Sequence, residues 1–222
     1  MNKVVIFDFD GTICNTFSDC VLCYNQVLRE HGFPERKEEV FASVFGRMLH
    51  EIVAEVLPED SRDEETVNEI ANAYRACYKD SEKKNSLPFP GVPEVLKALS
   101  ERGIFLAVNS NKLTSMLSGM TEKAFPDIEF AAIVGASDAL PGKPDPAGVD
   151  FILQELDVPK EAAVYVGDGK SDILTAGNAG IPAVYVSWGQ GKKEGALPGQ
   201  VVRQADTAEE LLREILELLG EA

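Results

Sequence analysis

The sequence predicts an α/β fold: a parallel sheet covered by helices on both faces and interrupted by a helical insertion. Three observations lead there. The chain opens on an apolar strand that ends in acidic residues; a long helical stretch with no strong strand signal follows; short apolar strands then alternate with helices through the rest of the 222 residues. Apolar strands separated by helices imply burial on both sheet faces, with ligands beyond the carboxyl ends of the strands.

In order, residues 3–9 read as a strand, and residues 16–84 as a largely helical stretch whose first helix spans 16–30. The segment Asn85-Ser86-Leu87-Pro88-Phe89-Pro90-Gly91 is a turn-rich linker in which two prolines block helix continuation. Residues 92–102 predict a helix ending at Gly103, and residues 104–108 a buried strand. A helix is expected over 112–124, a short strand over 131–134, a helix over 146–156 and a strand over 163–166. Residues 171–179 predict a helix stopped by Gly180, and 183–186 a strand. Thr207 and Glu210 have capping-box spacing and precede Leu211, Leu212, Ile215, Leu218 and Leu219 at helical period.

The composition is that of a globular enzyme, with 45% apolar and 26% charged residues, and the length allows one α/β core plus a small second domain. A formal charge of -16 argues against nucleic acid or an anionic membrane as partner, because both reward clustered Lys and Arg. No apolar run approaches membrane-span length, and Met1-Asn2-Lys3 leads directly into the strand, so neither a span nor a signal peptide is expected. Cys20 and Cys23 form a C-x-x-C, but they fall on the expected first helix. There is no second pair beside Cys14 and Cys77, and His31 and His50 lack ligand spacing to them. Reduced, packed thiols in a cytoplasmic protein are the reading.

Asp8-Phe9-Asp10-Gly11-Thr12 closes the run Val4-Val5-Ile6-Phe7, and in a strand the two carboxylates would share a face. Like charges this close raise each other's pKa, so keeping both ionised near neutrality needs a cation or a shared proton. A hard divalent ion such as Mg²⁺ meets that need, and the pair then reads as a metal-assisted nucleophile and its acid/base partner. The alternative is a strand-end turn in which Asp and Gly supply only turn chemistry.

Further along, the strand over 104–108 runs into Asn109-Ser110-Asn111-Lys112, expected to open a helix. The Ser110 hydroxyl and nearby N–H groups would then face an anion there, or Ser110 would be only a helix N-cap. Gly142-Lys143-Pro144-Asp145-Pro146 precedes another helix and sets Lys143 within reach of the sheet edge, unless it is an exposed loop lysine. Gly167-Asp168-Gly169-Lys170-Ser171-Asp172 joins a strand to a helix start, with two acids four residues apart that could face one site. Asp172 could instead simply favour the helix N-terminus by its charge. Arg47, after Gly46, is a cationic candidate for a substrate carboxylate or a surface helix arginine. The loop 188–193, Trp188-Gly189-Gln190-Gly191-Lys192-Lys193, flanks the cleft or is a mobile solvent loop.

These four stretches, in this order, resemble the four motifs of the haloacid dehalogenase superfamily. The resemblance spans the chain and implies a Rossmann-like parallel sheet core with an inserted α-helical cap of type 1, residues 1–15 plus 86–222 forming the core and 16–85 the cap. It implies phosphoryl transfer to Asp8, with Asp10 as acid and then base. Ser110, Asn111 and Lys143 would hold the phosphoryl oxygens, with Thr12 and Arg47 also in the substrate-binding set. Mg²⁺ would be bound by Asp8, Asp10 through its main-chain carbonyl, Asp168 directly, and Asp172 directly or through water.

Haloacid dehalogenases do not need the second Asp, so Asp10 and the metal set argue against dehalogenation. β-Phosphoglucomutase-like mutases carry a His ten residues after that Asp, where this chain has Cys20. A non-catalytic protein on this fold would usually have lost an acid. The loop at 142–146, Asn109-Ser110-Asn111-Lys112 and Val186-Ser187-Trp188-Gly189 resemble phosphoglycolate phosphatases, although Asn15 replaces the usual Asp after the first motif. The expectation is a Mg²⁺-dependent phosphatase acting on a small-molecule phosphate ester, cytoplasmic, as monomer or homodimer.

Overall fold

A computed structural model describes residues 2–137 and 140–221. The chain begins with strand β1 (Val4–Phe7), a short strand β2 (Cys14–Asn15) and helix α1 (Phe17–Glu30). Helices α2 (Glu38–Ala42), α3 (Leu49–Val56) and α4 (Glu64–Asp80) follow, and the short strand β3 (Leu87–Pro88) returns the chain antiparallel to β2. The helical insertion therefore leaves and re-enters the core through one two-stranded ribbon. The remaining elements are α5 (Val92–Ser100), β4 (Phe105–Leu113), α6 (Thr114–Ala124), β5 (Ala132–Ala136), α7 (Ala147–Glu155), β6 (Ala163–Gly167), α8 (Lys170–Ala179), β7 (Ala183–Val186), β8 (Val202–Ala205) and α9 (Ala208–Leu218).

Six strands form one parallel sheet in the order β5-β4-β1-β6-β7-β8. β1 is central, pairing Phe7 with Val108 on one side and Val166 on the other. Its alternation divides the interior. Val5 and Phe7 join Leu96, Leu99, Leu211 and Ile215 on one face, while Val4 and Ile6 join Val149, Ile152 and Ala176 on the other. All four β1 residues are fully buried, as a strand covered on both faces requires. The acidic turn thus follows a central strand that is buried on both faces and paired on both edges.

Two expectations are corrected. The helix expected from residue 112 begins at Thr114, and residues 109–113 continue β4, with a register shift against β5 between Asn109 and Leu113. That bulge frees the segment from the regular ladder while the Gly135 N–H anchors it on Thr114 Oγ1 at 3.0 Å. Gly135 is required there, because a Cβ would lie 2.3 Å from the Lys112 carbonyl oxygen. Strand β8 went unread because Val202-Arg203-Gln204-Ala205 is a mixed edge strand with no apolar run. At α9, Thr207 Oγ1 accepts from the Glu210 N–H as expected, but the Glu210 carboxylate reaches back to the Asp206 N–H.

Among the described residues no helix is long and apolar enough to cross a membrane. Cys14, Cys20 and Cys23 are buried free thiols, and Cys77 is a half-buried one, so the C-x-x-C packs within α1 as a pair of thiols. Leu96 is completely buried between the sheet and its covering helices. Leu96→Ala is expected to lower unfolding stability by about 2–5 kcal/mol, read from urea titrations followed by circular dichroism.

Candidate active site

Three carboxylates converge beyond the carboxyl ends of β1 and β6. Asp8, Asp168 and Asp172 each offer an oxygen, and these oxygens lie within 4.8 Å of one another. Asp8 follows β1, and its N–H donates to the Val166 carbonyl at 2.9 Å, tying it to β6. Asp168 and Asp172 sit on the turn from β6 into α8, where the Gly169 N–H donates to Asp172 Oδ2 at 3.0 Å. Gly167 leaves no room for a side chain, since a Cβ would lie 2.2 Å from Asp172 Cβ. All three acids are at least nine-tenths buried.

Lys143 is the counter-ion. Its Nζ lies 2.8 Å from Asp8 Oδ1 and 2.6 Å from Asp172 Oδ1, and its side chain is 2% exposed. Burial alone would lower the Lys143 pKa, but Asp172 and Asp8 hold it well above the usual range, so the ammonium stays charged. Burial pushes Asp8 well above the usual carboxylate range, Lys143 pulls it down, and Asp172 and Asp168 push it up again. Asp168 is raised to about 7 by burial and then by Asp172, against the hydrogen bond from Gly191. One ammonium against three carboxylates leaves two negative charges in a buried, oxygen-only cluster. That donor set fits a hard divalent cation such as Mg²⁺ and lacks the nitrogen or sulfur ligands that softer ions favour.

Asp10 stands apart from the three. Its Oδ1 accepts from the Thr16 hydroxyl and pairs with Lys112 Nζ at 3.1 Å, while Oδ2 has no hydrogen-bond donor among the described residues. The two acids of the first motif thus occupy different environments: Asp8 belongs to the charge cluster, and Asp10 faces the insertion. The turn between them and β2 closes through Gly11 N–H to the Cys14 carbonyl at 2.9 Å, with Gly11 at φ +83°. A Cβ at Gly11 would lie 2.6 Å from Asp168 Oδ2, so only glycine lets this turn pass the cluster.

The described residues 5–137 and 140–186 fall within the stretch matched by the family described as haloacid dehalogenase-like hydrolase, which covers residues 5–186. A phosphoglycolate phosphatase of Caulobacter vibrioides is 32% identical over 83% of this chain and 79% of its own. One from Aquifex aeolicus is 29% identical over 88% and 90%. Among solved structures, a haloacid dehalogenase-like hydrolase of Streptococcus pneumoniae superposes with a TM-score of 0.82 at 25% identity, covering 96% of this chain and 98% of that one. A protein of Lactobacillus delbrueckii subsp. bulgaricus, proposed to be a phosphoglycolate phosphatase, gives 0.85 at 28% identity, covering 97% and 99%.

The chain belongs to the haloacid dehalogenase-like hydrolase family. It is an enzyme with phosphatases among its relatives, and its helical insertion is the cap of that family's fold.

Between cap and core this hydrolase has a cavity of about 250 Å³, lined at its base by Asp8, Asp10, Ser110 and Lys143 and at its roof by cap residues. Ser110 Oγ accepts from the Lys112 N–H at 3.2 Å, which leaves its hydroxyl proton free to donate into the cavity. Asn111 lines the cavity too, and its side chain joins the lysine loop to the cap: Oδ1 accepts from the Lys143 N–H at 2.8 Å and Nδ2 donates to the Gly46 carbonyl at 3.1 Å. Thr12 directs its hydroxyl at Asp168 Oδ1, 3.5 Å away. Arg47 lines the cavity rim and is otherwise exposed, with Nη2 donating to the Ser43 carbonyl at 3.4 Å.

Loop 188–193 packs onto the cluster. The Gly191 N–H donates to Asp168 Oδ2 at 2.9 Å, and the Trp188 indole N–H donates to the Thr12 carbonyl at 3.0 Å. Sequence reasoning did not single out Thr16 or Lys112, both of which contact Asp10, nor Arg75, which lines the cavity from the cap. Lys112 was obscured by reading a helix where β4 continues; its signal was adjacency to Ser110.

A Cβ at Gly189 would lie 2.1 Å from Asp168 Oδ2. Gly189→Ala is therefore expected to displace that carboxylate and weaken Mg²⁺ binding at least about tenfold, measured by calorimetry. A cation must also displace the proton that Asp168 holds below about 7. The raised pKa means the metal-free fold loses stability as pH rises from the ordinary carboxylate range to about 7, a loss that a divalent cation bound there would offset. The Mg²⁺-induced rise in Tm is thus expected to be largest above pH 7 and to shrink on acidification.

Proposed function

We propose that this hydrolase is a Mg²⁺-dependent phosphatase that cleaves a small-molecule phosphate monoester through an aspartyl phosphate at Asp8, with phosphoglycolate phosphatase-like specificity. One observation carries the reading: Asp8 is locked in a charge cluster with Lys143, whereas Asp10, two residues on, lies outside that cluster and lines the cavity beside Lys112. Two carboxylates in contrasting environments suit a nucleophile and an acid/base partner. Asp8, Asp168 and Asp172 would hold the metal together with the Asp10 carbonyl, and the ion would neutralise charge on the phosphoryl oxygens.

Lys143 and the Ser110 hydroxyl bind the phosphoryl group, with Asn111 setting the position of the Lys143 loop. An Asp8 oxygen attacks phosphorus as the bond to the leaving oxygen breaks, and Asp10, as general acid, delivers a proton to that oxygen. Asp10 then takes a proton from water as the water oxygen bonds to phosphorus, and the Asp8–phosphorus bond breaks to release phosphate. Lys112 and Thr16 keep Asp10 in place through Oδ1 during both halves. The cap over residues 16–85 excludes bulk water from the core formed by 1–15 and 86–222, of which residues 1, 138–139 and 222 lie outside the described set. Cys20 lines the cavity at the position where a mutase would carry its His, which supports water as the second acceptor. The acidic charge argues against nucleic acid or an anionic membrane as partner, and the free thiols support a cytoplasmic enzyme acting on a small ester.

Phosphate release is to be measured from 2-phosphoglycolate, pyrophosphate, sugar phosphates and nucleotides, with Mg²⁺ and with chelator. The expected result is Mg²⁺-dependent release that Asp8→Asn lowers by at least about 10³-fold. Release insensitive to that substitution, or isomerisation of β-glucose 1-phosphate without release, would contradict the proposal.

A further inference from the structure

The cap side of the cavity has an unusual charge pattern. The chain has 37 acidic against 21 basic residues. Among the described residues, however, no acid other than Asp8 and Asp10 lines the cavity, while Arg47, Arg75, Lys112 and Lys143 do. Lys112 and Lys143 are already paired with carboxylates. Arg75, on α4, is not. Its Nη1 donates to Asn72 Oδ1 at 2.9 Å on the same helix, it forms no ion pair among the described residues, and its Nε is buried without a hydrogen-bond partner. A buried guanidinium N–H without an acceptor is costly, and such a group in a native site calls for an explanation.

Its position supplies one. Arg75 and Tyr78 are three residues apart on α4 and so share a face. Lys112 Nζ lies 4.5 Å from the centre of the Tyr78 ring and 3.1 Å from Asp10 Oδ1. Asp8, Asp10, Lys112, Tyr78 and Arg75 thus line one cavity that runs from the core carboxylates to the cap. A leaving alcohol protonated by Asp10 would extend along that cavity, and whatever it carries at its far end would meet the unpaired guanidinium. Tyr24, Tyr74 and Phe45 wall the same space, so a charge there is poorly screened by water and its partner matters more. The cavity, of about 250 Å³, has room for a short phosphate ester between Asp8 and Arg75.

We infer that Arg75 is a specificity-determining residue that binds a second anionic group, a carboxylate or a second phosphate, on the leaving alcohol of the phosphate monoester cleaved at Asp8. This inference rests on the phosphatase reading. It moves substrate recognition from the exposed Arg47 to an arginine inside the cap, whose planar fork matches either anion.

The test compares kcat/KM for 2-phosphoglycolate, ethylene glycol bisphosphate and 2-hydroxyethyl phosphate, which share a two-carbon body and differ at its far end. Wild type, Arg75→Met and Arg75→Lys are assayed with Mg²⁺, and matching thermal unfolding curves confirm that the variants fold. The wild-type enzyme is expected to prefer one or both doubly anionic esters, and which one it prefers separates carboxylate from phosphate recognition. Arg75→Met should shrink that preference over 2-hydroxyethyl phosphate by about 10- to 100-fold, mainly through KM, and Arg75→Lys should restore part of it. An equal loss on all three esters, or an unchanged preference, would overturn the assignment while leaving the phosphatase reading intact. Failure of the wild-type enzyme to release phosphate from any of the three or from the wider panel would overturn both.

Discussion

Three buried carboxylates facing a single ammonium are the constraint on which the rest of this molecule depends. Asp8, Asp168 and Asp172 share a water-poor space with Lys143, and the two charges left over cannot be dispersed by solvent. A fold that kept these groups only for stability would gain by replacing them with apolar residues, because buried ions rarely repay their desolvation. The surrounding backbone is shaped to preserve them instead. Gly11, Gly167 and Gly189 each lie where a Cβ would strike one of the acids, and the Gly191 N–H is aimed at Asp168. Uncompensated charge held in fixed positions at one end of a parallel sheet is what the proposed phosphoryl transfer would use.

The cap is coupled to this cluster by few but specific contacts. Asn111 joins the Gly46 carbonyl to the Lys143 loop, and Lys112 joins Asp10 to the Tyr78 ring. Both residues lie on the bulged end of β4, so one irregular strand carries the contacts that set Lys143, Asp10 and the roof of the cavity. Asp10, against Lys112, and Ser110, whose oxygen accepts from the Lys112 N–H, would consequently move together if that strand shifted. Burial tends to lower the Lys112 pKa, but Asp10 and Tyr78 hold it well above its usual range, which keeps this link charged.

Much of the fold was legible because β1, β6 and β7 are short apolar runs and the helices between them carry clear stops. The site was legible where chemistry is concentrated in short motifs: Asp8 and Asp10 at the end of one strand, and Asp168 and Asp172 at the end of another. What escaped depends on long-range geometry. The β4 bulge is enforced by Gly135, on a different strand, so local propensity alone suggested a helix at residue 112. Arg75 lies mid-helix between Tyr74 and Ala76, where a lone arginine reads as a solvated helix residue, and only the packing of α4 shows that it lines the cavity. Asn111 and Thr12 were assigned to substrate by type, yet their side chains are engaged by the Lys143 loop and by Asp168, partners more than 30 residues away.

The central claim is that Asp8 forms the covalent bond while Asp10 only moves protons. Acid quenching of the Asp10→Ala variant during turnover of p-nitrophenyl phosphate, whose leaving group departs without a proton, tests it directly. Peptide mass spectrometry should find one phosphoryl group on Asp8 and none on Asp10, Asp168 or Asp172, accumulating because the second half of the reaction lacks its base. A phosphoryl group on another residue, or turnover of this variant at the wild-type rate with no phosphorylated peptide, would contradict the account.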